Sequence, residues 1–225
     1  MANPVPKLFI GNKNYSSWSL RPWLCLRWGE IEFEEELISL AQEGYGIQQI
    51  RGILRVSPAG KVPALHAGDL NIWDSLSIAE WAAERAPALW PSDAGTRAEA
   101  RSVVCEMHSG FTHLRDQLPM NIERRCKASG LAEGTLRDIH RVQEIWLGLR
   151  AKYAADGPWL FGRRSIADAF YAPVASRFRS YGIELPDSLI KYSETVFSDT
   201  HFLQWEAAPI SDCFDFIDQL FSNGH

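Results

Sequence analysis

Three serines, Ser16, Ser17 and Ser19, lie between a short apolar run that ends at Gly11 and the start of an amphipathic helical pattern. A helix start offers free N–H groups and the positive end of the helix dipole, so negative charge is stabilised there. A hydroxyl that donates a hydrogen bond to a sulfur favours its charged form, lowering the thiol pKa and supplying the nucleophilic thiolate. Taken alone, the same serines are also what an ordinary N-cap looks like.

Two further stretches offer groups that an anionic peptide needs. In Gly60-Lys61-Val62-Pro63-Ala64-Leu65 a proline enters an apolar strand, where its missing N–H is tolerated. A cis Val62–Pro63 bond turns the N–H and C=O of Val62 outward to pair with an extended chain, although a trans proline is the commoner case. Asp74-Ser75 stands directly before a helix, so Ser75 can meet a carboxylate and Asp74 an ammonium, unless the pair only caps the helix. A fourth group, Arg101, Cys105, His108, Thr112 and Arg115, follows helical spacing beside an apolar stripe. That row faces either a cleft or solvent and a subunit interface, and a lone His108 is more often structural.

The elements that hold these residues alternate. Leu8 to Ile10 reads as a strand, and Leu20, Trp23, Leu24 and Trp28 as a helix stopped by Gly29, with Pro22 in its first turn. Ile31, Phe33, Glu35 and Leu37 alternate with Glu32, Glu34 and Glu36, a period of two that predicts a strand with one wetter face, parallel to the first. Ile47, Ile50, Ile53 and Leu54 mark a second helix, broken by Ser57-Pro58-Ala59-Gly60. Val62–His66 and Leu70–Trp73 form a hairpin around Gly68, and Ser75–Arg85 is a third helix with Ser77 and Glu80 as a capping box. The order is βαβαββα.

Beyond Ala86 everything reads helical. Val104, Met107, Phe111, Leu114 and Leu118 predict one long helix, Thr135–Tyr153 another, and Ser165-Ile166-Ala167-Asp168 caps a third. We therefore expect one domain over residues 1–86, a linker over 87–95 with two prolines and a glycine, and an all-helical domain over 96–225.

Apolar residues make up 46% and charged ones 23%, the balance of a soluble globular chain, and the formal net charge of −5 carries no basic block. Nucleic acid and membranes are not expected as partners, no metal is expected, and the start lacks a signal-peptide pattern, which predicts a cytoplasmic protein. Cys25, Cys105, Cys126 and Cys213 are spaced too widely for a CxxC pair and are expected to be reduced packing residues. Nine tryptophans favour an apolar pocket.

The serines, the proline motif and Asp74-Ser75, in this order on this βαβαββα pattern, resemble the cytosolic glutathione transferase family of the serine type, nearest to the zeta class. Ser165-Ile166-Ala167-Asp168, after Gly157-Pro158-Trp159-Leu160-Phe161-Gly162, looks like the capping motif of that family's helical domain. The resemblance implies an α/β thioredoxin-like N-terminal domain, an all-α helical bundle, glutathione as co-substrate, an electrophilic small-molecule substrate, a role in detoxification and a homodimer. It also implies that a serine holds the sulfur, that Val62, after Lys61 and before Pro63, pairs with the cysteinyl backbone, and that Asp74 and Ser75 fix the γ-glutamyl end. Lys61 is then placed for a glutathione carboxylate. Aligned on Arg21, zeta spacing selects Ser16 and theta-like spacing Ser17, with Ser16 preferred. Trp18 and Leu20 stand where the zeta motif has cysteine and tryptophan, which leaves a glutathione-dependent isomerase as the alternative to conjugation. A non-catalytic glutathione- or ligand-binding scaffold is the third reading. Trp18, His108 and Phe111 are the residues expected nearest an apolar substrate.

Overall fold

The computed structural model describes residues 4–39 and 51–208. Its first half runs β1 (Lys7–Ile10), α1 (Ser17–Trp28), β2 (Glu34–Leu37), α2 (Arg51–Leu54), β3 (Ala64–Ala67), β4 (Leu70–Trp73) and α3 (Ser75–Arg85). The strands make one mixed sheet in the order β2-β1-β3-β4, with β1 parallel to β2 and antiparallel to β3, and β3 antiparallel to β4. This is a thioredoxin-like domain, as the resemblance implies, in the βαβαββα order that the alternating pattern predicts.

Side chains alternate across the sheet, so its two faces bury different sets. Leu8, Ile10 and Leu65 join Leu20, Trp23, Leu24 and Ile78 of α1 and α3 in the main core. Phe9 and Ala64 point the other way, onto Ile38, Ile53 and Val56. Of the second helix, Ile47 and Ile50 lie outside the described residues, and Ile53 is buried while Leu54 is exposed.

Local expectations fail at three places in this half. In β2, Glu34, Glu35 and Leu37 are exposed: it is an edge strand whose glutamates meet Lys7, Lys13 and Arg55, while Glu35 also accepts from Trp23 Nε1 at 2.7 Å. The start of α3 is capped by the Asp74 carboxylate, which accepts from the Leu76 N–H at 2.8 Å, and not by a Ser77/Glu80 box. The cap falls one turn earlier because the helix already begins at Ser75, leaving Ser77 inside its first turn. Finally, of the cysteines only Cys25 packs in the core; Cys105 and Cys126 are exposed free thiols, and Cys213 lies outside the described residues.

The second half is helical: α4 (Ala94–Ser109), α5 (Thr112–Gln117), α6 (Glu133–Tyr153), α7 (Ile166–Ser180), α8 (Asp187–Ser198) and α9 (Thr200–Glu206). The stripe from Val104 to Leu118 is shared by two helices. Gly110 is extended and Phe111 sits at φ 58°, so the chain turns between α4 and α5 while the apolar period continues across the break. In α6 the whole predicted stripe, Ile139, Val142, Ile145, Trp146 and Leu149, is buried.

The buried Asp168 organises α7. Its Oδ2 accepts from the Ser165 N–H at 2.9 Å and the Ser165 hydroxyl at 3.1 Å, and its Oδ1 from the Leu160 N–H at 3.0 Å and the Tyr192 hydroxyl at 3.3 Å. The predicted capping motif therefore also ties the Gly157–Gly162 turn and α8 to the start of α7. That helix is buried along most of its length and packs on α1.

Candidate active site at the end of the sheet

Phe9, Ala64 and Trp73 are aligned across β1, β3 and β4. The loop that follows Ile10, the Val62–Pro63 bond that precedes Ala64 and the Asp74-Ser75 pair that follows Trp73 consequently leave the sheet at one end. The Val62–Pro63 peptide is cis. Lys61 is exposed, and Val62 is half-buried against the Phe9 side of the sheet. Asp74 holds φ 76°, a conformation stabilised by the cap it forms on α3, and the Ser75 hydroxyl is buried with no hydrogen-bond partner among the described residues.

The serine loop is pinned from both halves of the chain. Asn14 Nδ2 donates to Asn121 Oδ1 at 3.1 Å, and Asn14 Oδ1 accepts from the Glu123 N–H at 3.1 Å. Trp205 Nε1 donates to the Lys13 carbonyl at 2.8 Å. Ser16 is the N-cap of α1, and its hydroxyl donates to Ser19 Oγ at 2.7 Å while accepting weakly from the Ser19 N–H. Ser19 Oγ in turn accepts from the Gly11 N–H at 3.0 Å, which closes the loop. Ser17, the first residue of the helix, has a different partner: Arg177 Nη2, from α7, donates to its Oγ at 3.2 Å.

Behind the serines lies a group of guanidiniums. Arg21 is 1% exposed, stacked on Trp18 at 4.4 Å and Phe170 at 4.9 Å, and its Nε and Nη1 have no hydrogen-bond partner among the described residues. Arg115 lies 4.7 Å from the same Trp18 ring. Burial holds Arg21 well below the usual guanidinium range, Arg115 and Arg177 push it the same way, and Asp74 opposes them. Burial and the charge of Arg115 likewise push Arg177 down to about 9. Both remain cations near neutral pH, but their charged forms are under electrostatic load.

The remaining predicted residues divide. Trp18 and His108 are in edge-to-face contact at 5.4 Å, and His108 Nε2 lies 3.3 Å from Asp74 Oδ2. Phe111 is buried in the main core. Of the polar row, Arg101 pairs with Glu80 of α3, His108 and Arg115 reach Trp18, and Cys105 and Thr112 are exposed. A cavity of about 540 Å³ between α7 and α8, lined by Phe178, Ile183, Ile190 and Phe197, includes none of the site residues and no tryptophan. Among the described residues, no group of three or more His, Cys, Asp or Glu converges as metal ligands, and no helix is long and apolar enough to cross a membrane.

Sequence reasoning passed over Arg177, Arg21 and Asn14 as site residues. The available signal was chemical: Arg177 is the first charged residue after Asp168 and directly follows the apolar and small stretch Ala172-Pro173-Val174-Ala175-Ser176.

Residues 15–85, which span α1 to α3, match the family model described as the glutathione S-transferase N-terminal domain. Solved structures match over nearly the whole chain. A glutathione transferase homologue from Burkholderia with bound glutathione is 21% identical, with a TM-score of 0.67 over 89% of this chain and 95% of its own. The fold is that of the glutathione S-transferases. A glutathione S-transferase from the Antarctic clam Laternula elliptica is 19% identical, with a TM-score of 0.70 over 92% of this chain and 96% of its own. Ure2p in complex with glutathione is 16% identical, with a TM-score of 0.67 over 92% of this chain and 96% of its own. No curated protein matches the chain in sequence.

Proposed function

We propose that this protein is a glutathione transferase of the serine type, in which a hydroxyl at the start of α1 holds the glutathione sulfur as a thiolate for attack on an electrophilic small molecule. The observation that carries this reading is the convergence, at one end of the sheet, of the Ser16–Ser17 helix start, the cis Val62–Pro63 bond and the Asp74-Ser75 pair. Each supplies what one part of the tripeptide needs. The backbone of Val62 pairs with the cysteinyl unit as an added strand would. The Ser75 hydroxyl, without a partner among the described residues, takes the γ-glutamyl carboxylate, Asp74 its ammonium, and Lys61 a second carboxylate.

Binding the tripeptide rigidly orients the sulfur and keeps it charged near neutral pH, so modest contacts to the second substrate suffice. In conjugation the sulfur forms a bond to the electrophilic carbon, and the leaving group departs with its electron pair. His108, which borders Asp74, and Trp18, edge-on to His108, stand nearest that second substrate. Residues 1–86 form the glutathione-binding domain, 87–95 the connection and 96–225 the helical domain of a cytoplasmic homodimer. The α/β half supplies the groups that bind glutathione, and the helices complete the cleft.

Glutathione titration of the full chain by calorimetry, with the ultraviolet thiolate absorbance recorded across pH, tests the proposal. The expected result is binding with a thiol pKa below that of free glutathione, restored towards the free value by Ser16→Ala or Ser17→Ala. Binding without a shifted pKa would identify a glutathione carrier, and absence of binding would end the glutathione reading. Product analysis then separates conjugation from isomerisation, in which the thiolate adds to a double bond and leaves again.

A further inference from the structure

We infer that Arg177 is a positioning residue that makes Ser17, and not Ser16, the hydroxyl that holds the thiolate, with Arg21 and Arg115 supplying the cationic field behind it. This inference rests on the glutathione reading above and assigns its chemistry to a residue of α7, contributed by the other half of the chain.

The two serines differ in what their protons are doing. A hydroxyl has one proton to donate. The Ser16 hydroxyl donates to Ser19 Oγ at 2.7 Å, within the closed set of contacts that fixes the loop to Gly11. Ser17 Oγ instead accepts from Arg177 Nη2 at 3.2 Å. That contact occupies a lone pair, orients the hydroxyl and polarises its O–H, while leaving the proton for an acceptor in the site. Sulfur that has lost its proton to solvent is such an acceptor, and Ser17 O–H then donates to it.

The charges point the same way. Arg177 Nε and Nη1 donate to the carbonyls of Leu118 and Pro173, so all three of its acceptors are neutral oxygens. Among the described residues, Arg21, beside it, leaves two guanidinium nitrogens unpartnered, and Arg115 leaves its Nε so. The groups that act on this cluster are Asp74 and Tyr171 at Arg21, Asp116 and Asp138 at Arg115, and Tyr181 at Arg177, with a His108 that burial and the arginines keep neutral. Buried cations lacking a close carboxylate cost free energy, which an arriving anion recovers. By linkage, the same free energy lowers the pKa of a thiol bound at Ser17.

The test uses the full chain carrying Arg177→Gln, Arg177→Lys, Arg115→Gln and Ser17→Ala, and the double variant Ser17→Ala/Arg177→Gln. Binding of S-methylglutathione, which has no ionisable thiol, is measured by calorimetry, and the pKa of bound glutathione by thiolate absorbance. The expected result is S-methylglutathione affinity retained within about threefold, and a bound-thiol pKa raised by about one unit or more in Arg177→Gln, a tenfold loss of thiolate. Arg177→Lys keeps the charge and loses less. The Arg177→Gln effect is smaller on the Ser17→Ala background, because the part of it that Arg177 exerts through that hydroxyl is lost. Arg115→Gln, at a half-buried position, raises the pKa in the same direction and serves if Arg177→Gln does not fold. An unchanged pKa in Arg177→Gln or Arg115→Gln, or additive effects of Ser17→Ala and Arg177→Gln, overturns the inference. So does wild-type protein that binds glutathione with the free-thiol pKa, and in that case the binding reading survives. If wild type binds neither ligand, the glutathione reading itself is what fails.

Discussion

The imidazole Nε2 of His108, on α4, lies 3.3 Å from Oδ2 of Asp74, the residue that caps α3. Burial, and then the charges of Arg21 and Arg115, hold this histidine below its ordinary pKa, against the pull of Asp74. It is therefore neutral near pH 7, and no imidazolium offsets the Asp74 carboxylate beside it. A base whose folded pKa is depressed contributes stability that is present above its unfolded value and lost as pH falls through the folded one. Wild type should lose thermal stability between about pH 7 and pH 5, below the unfolded histidine value of about 6.5, by a margin that His108→Gln does not show. A calorimetric Tm series against pH, run on both proteins, checks the difference.

Asp168 accepts four hydrogen bonds from Leu160, Ser165 and Tyr192 while fully buried. Asp168→Ala strands those donors, each at a cost of about 1–3 kcal/mol, so urea denaturation should show a loss of roughly 3 kcal/mol or more. Asp168→Asn retains an acceptor for one side but turns an N–H donor towards the other, and should fall between the two.

Gly157 holds φ 141°, and a Cβ built there would come within 2.3 Å of the Gly162 carbonyl oxygen. Neither the conformation nor the space admits alanine. Gly157→Ala should lower stability by about 2–4 kcal/mol and loosen the turn that presents the Leu160 N–H to Asp168. Comparing urea midpoints of this variant with Gly148→Ala, where a Cβ meets nothing within 4 Å, isolates the effect.

Trp18 lies against both Arg21, at 4.4 Å, and Arg115, at 4.7 Å. Each such contact contributes about 0.5–2 kcal/mol, depending on desolvation. Trp18→Ala should destabilise the protein by roughly 1–3 kcal/mol, and Trp18→Phe, which keeps a π face, by less than half of that. Equilibrium unfolding of the two variants gives the ratio.

The first half of the fold was legible because its punctuation is local: Gly29, Ser57-Pro58-Ala59-Gly60 and Gly68 end or turn elements whatever the rest of the chain does. The same half offered the Val62–Pro63 bond and Asp74-Ser75 as candidates, but left cis and trans open and put the cap of α3 on Ser77 and Glu80, one turn later than Asp74, which forms it. Periodicity misled at Gly110 and Phe111, since an apolar stripe continues in phase across a break that only the left-handed Phe111 reveals. It misled again in β2, where Glu35 satisfies Trp23 at an edge and the alternation buries no face. The Ser16 cap on α1 was legible as such, but the partner of Ser17 was beyond sequence reasoning. Arg177 reaches Ser17 across 160 positions through the packing of α7 on α1, and nothing near either residue in the chain announces the other.

The placement of Arg177 also makes the surroundings of Ser17 a joint property of both halves of the chain. Residues up to the Gly157–Gly162 turn carry the three serines and Asp74-Ser75, while the guanidinium that donates to Ser17 Oγ comes with α7, whose start the buried Asp168 caps.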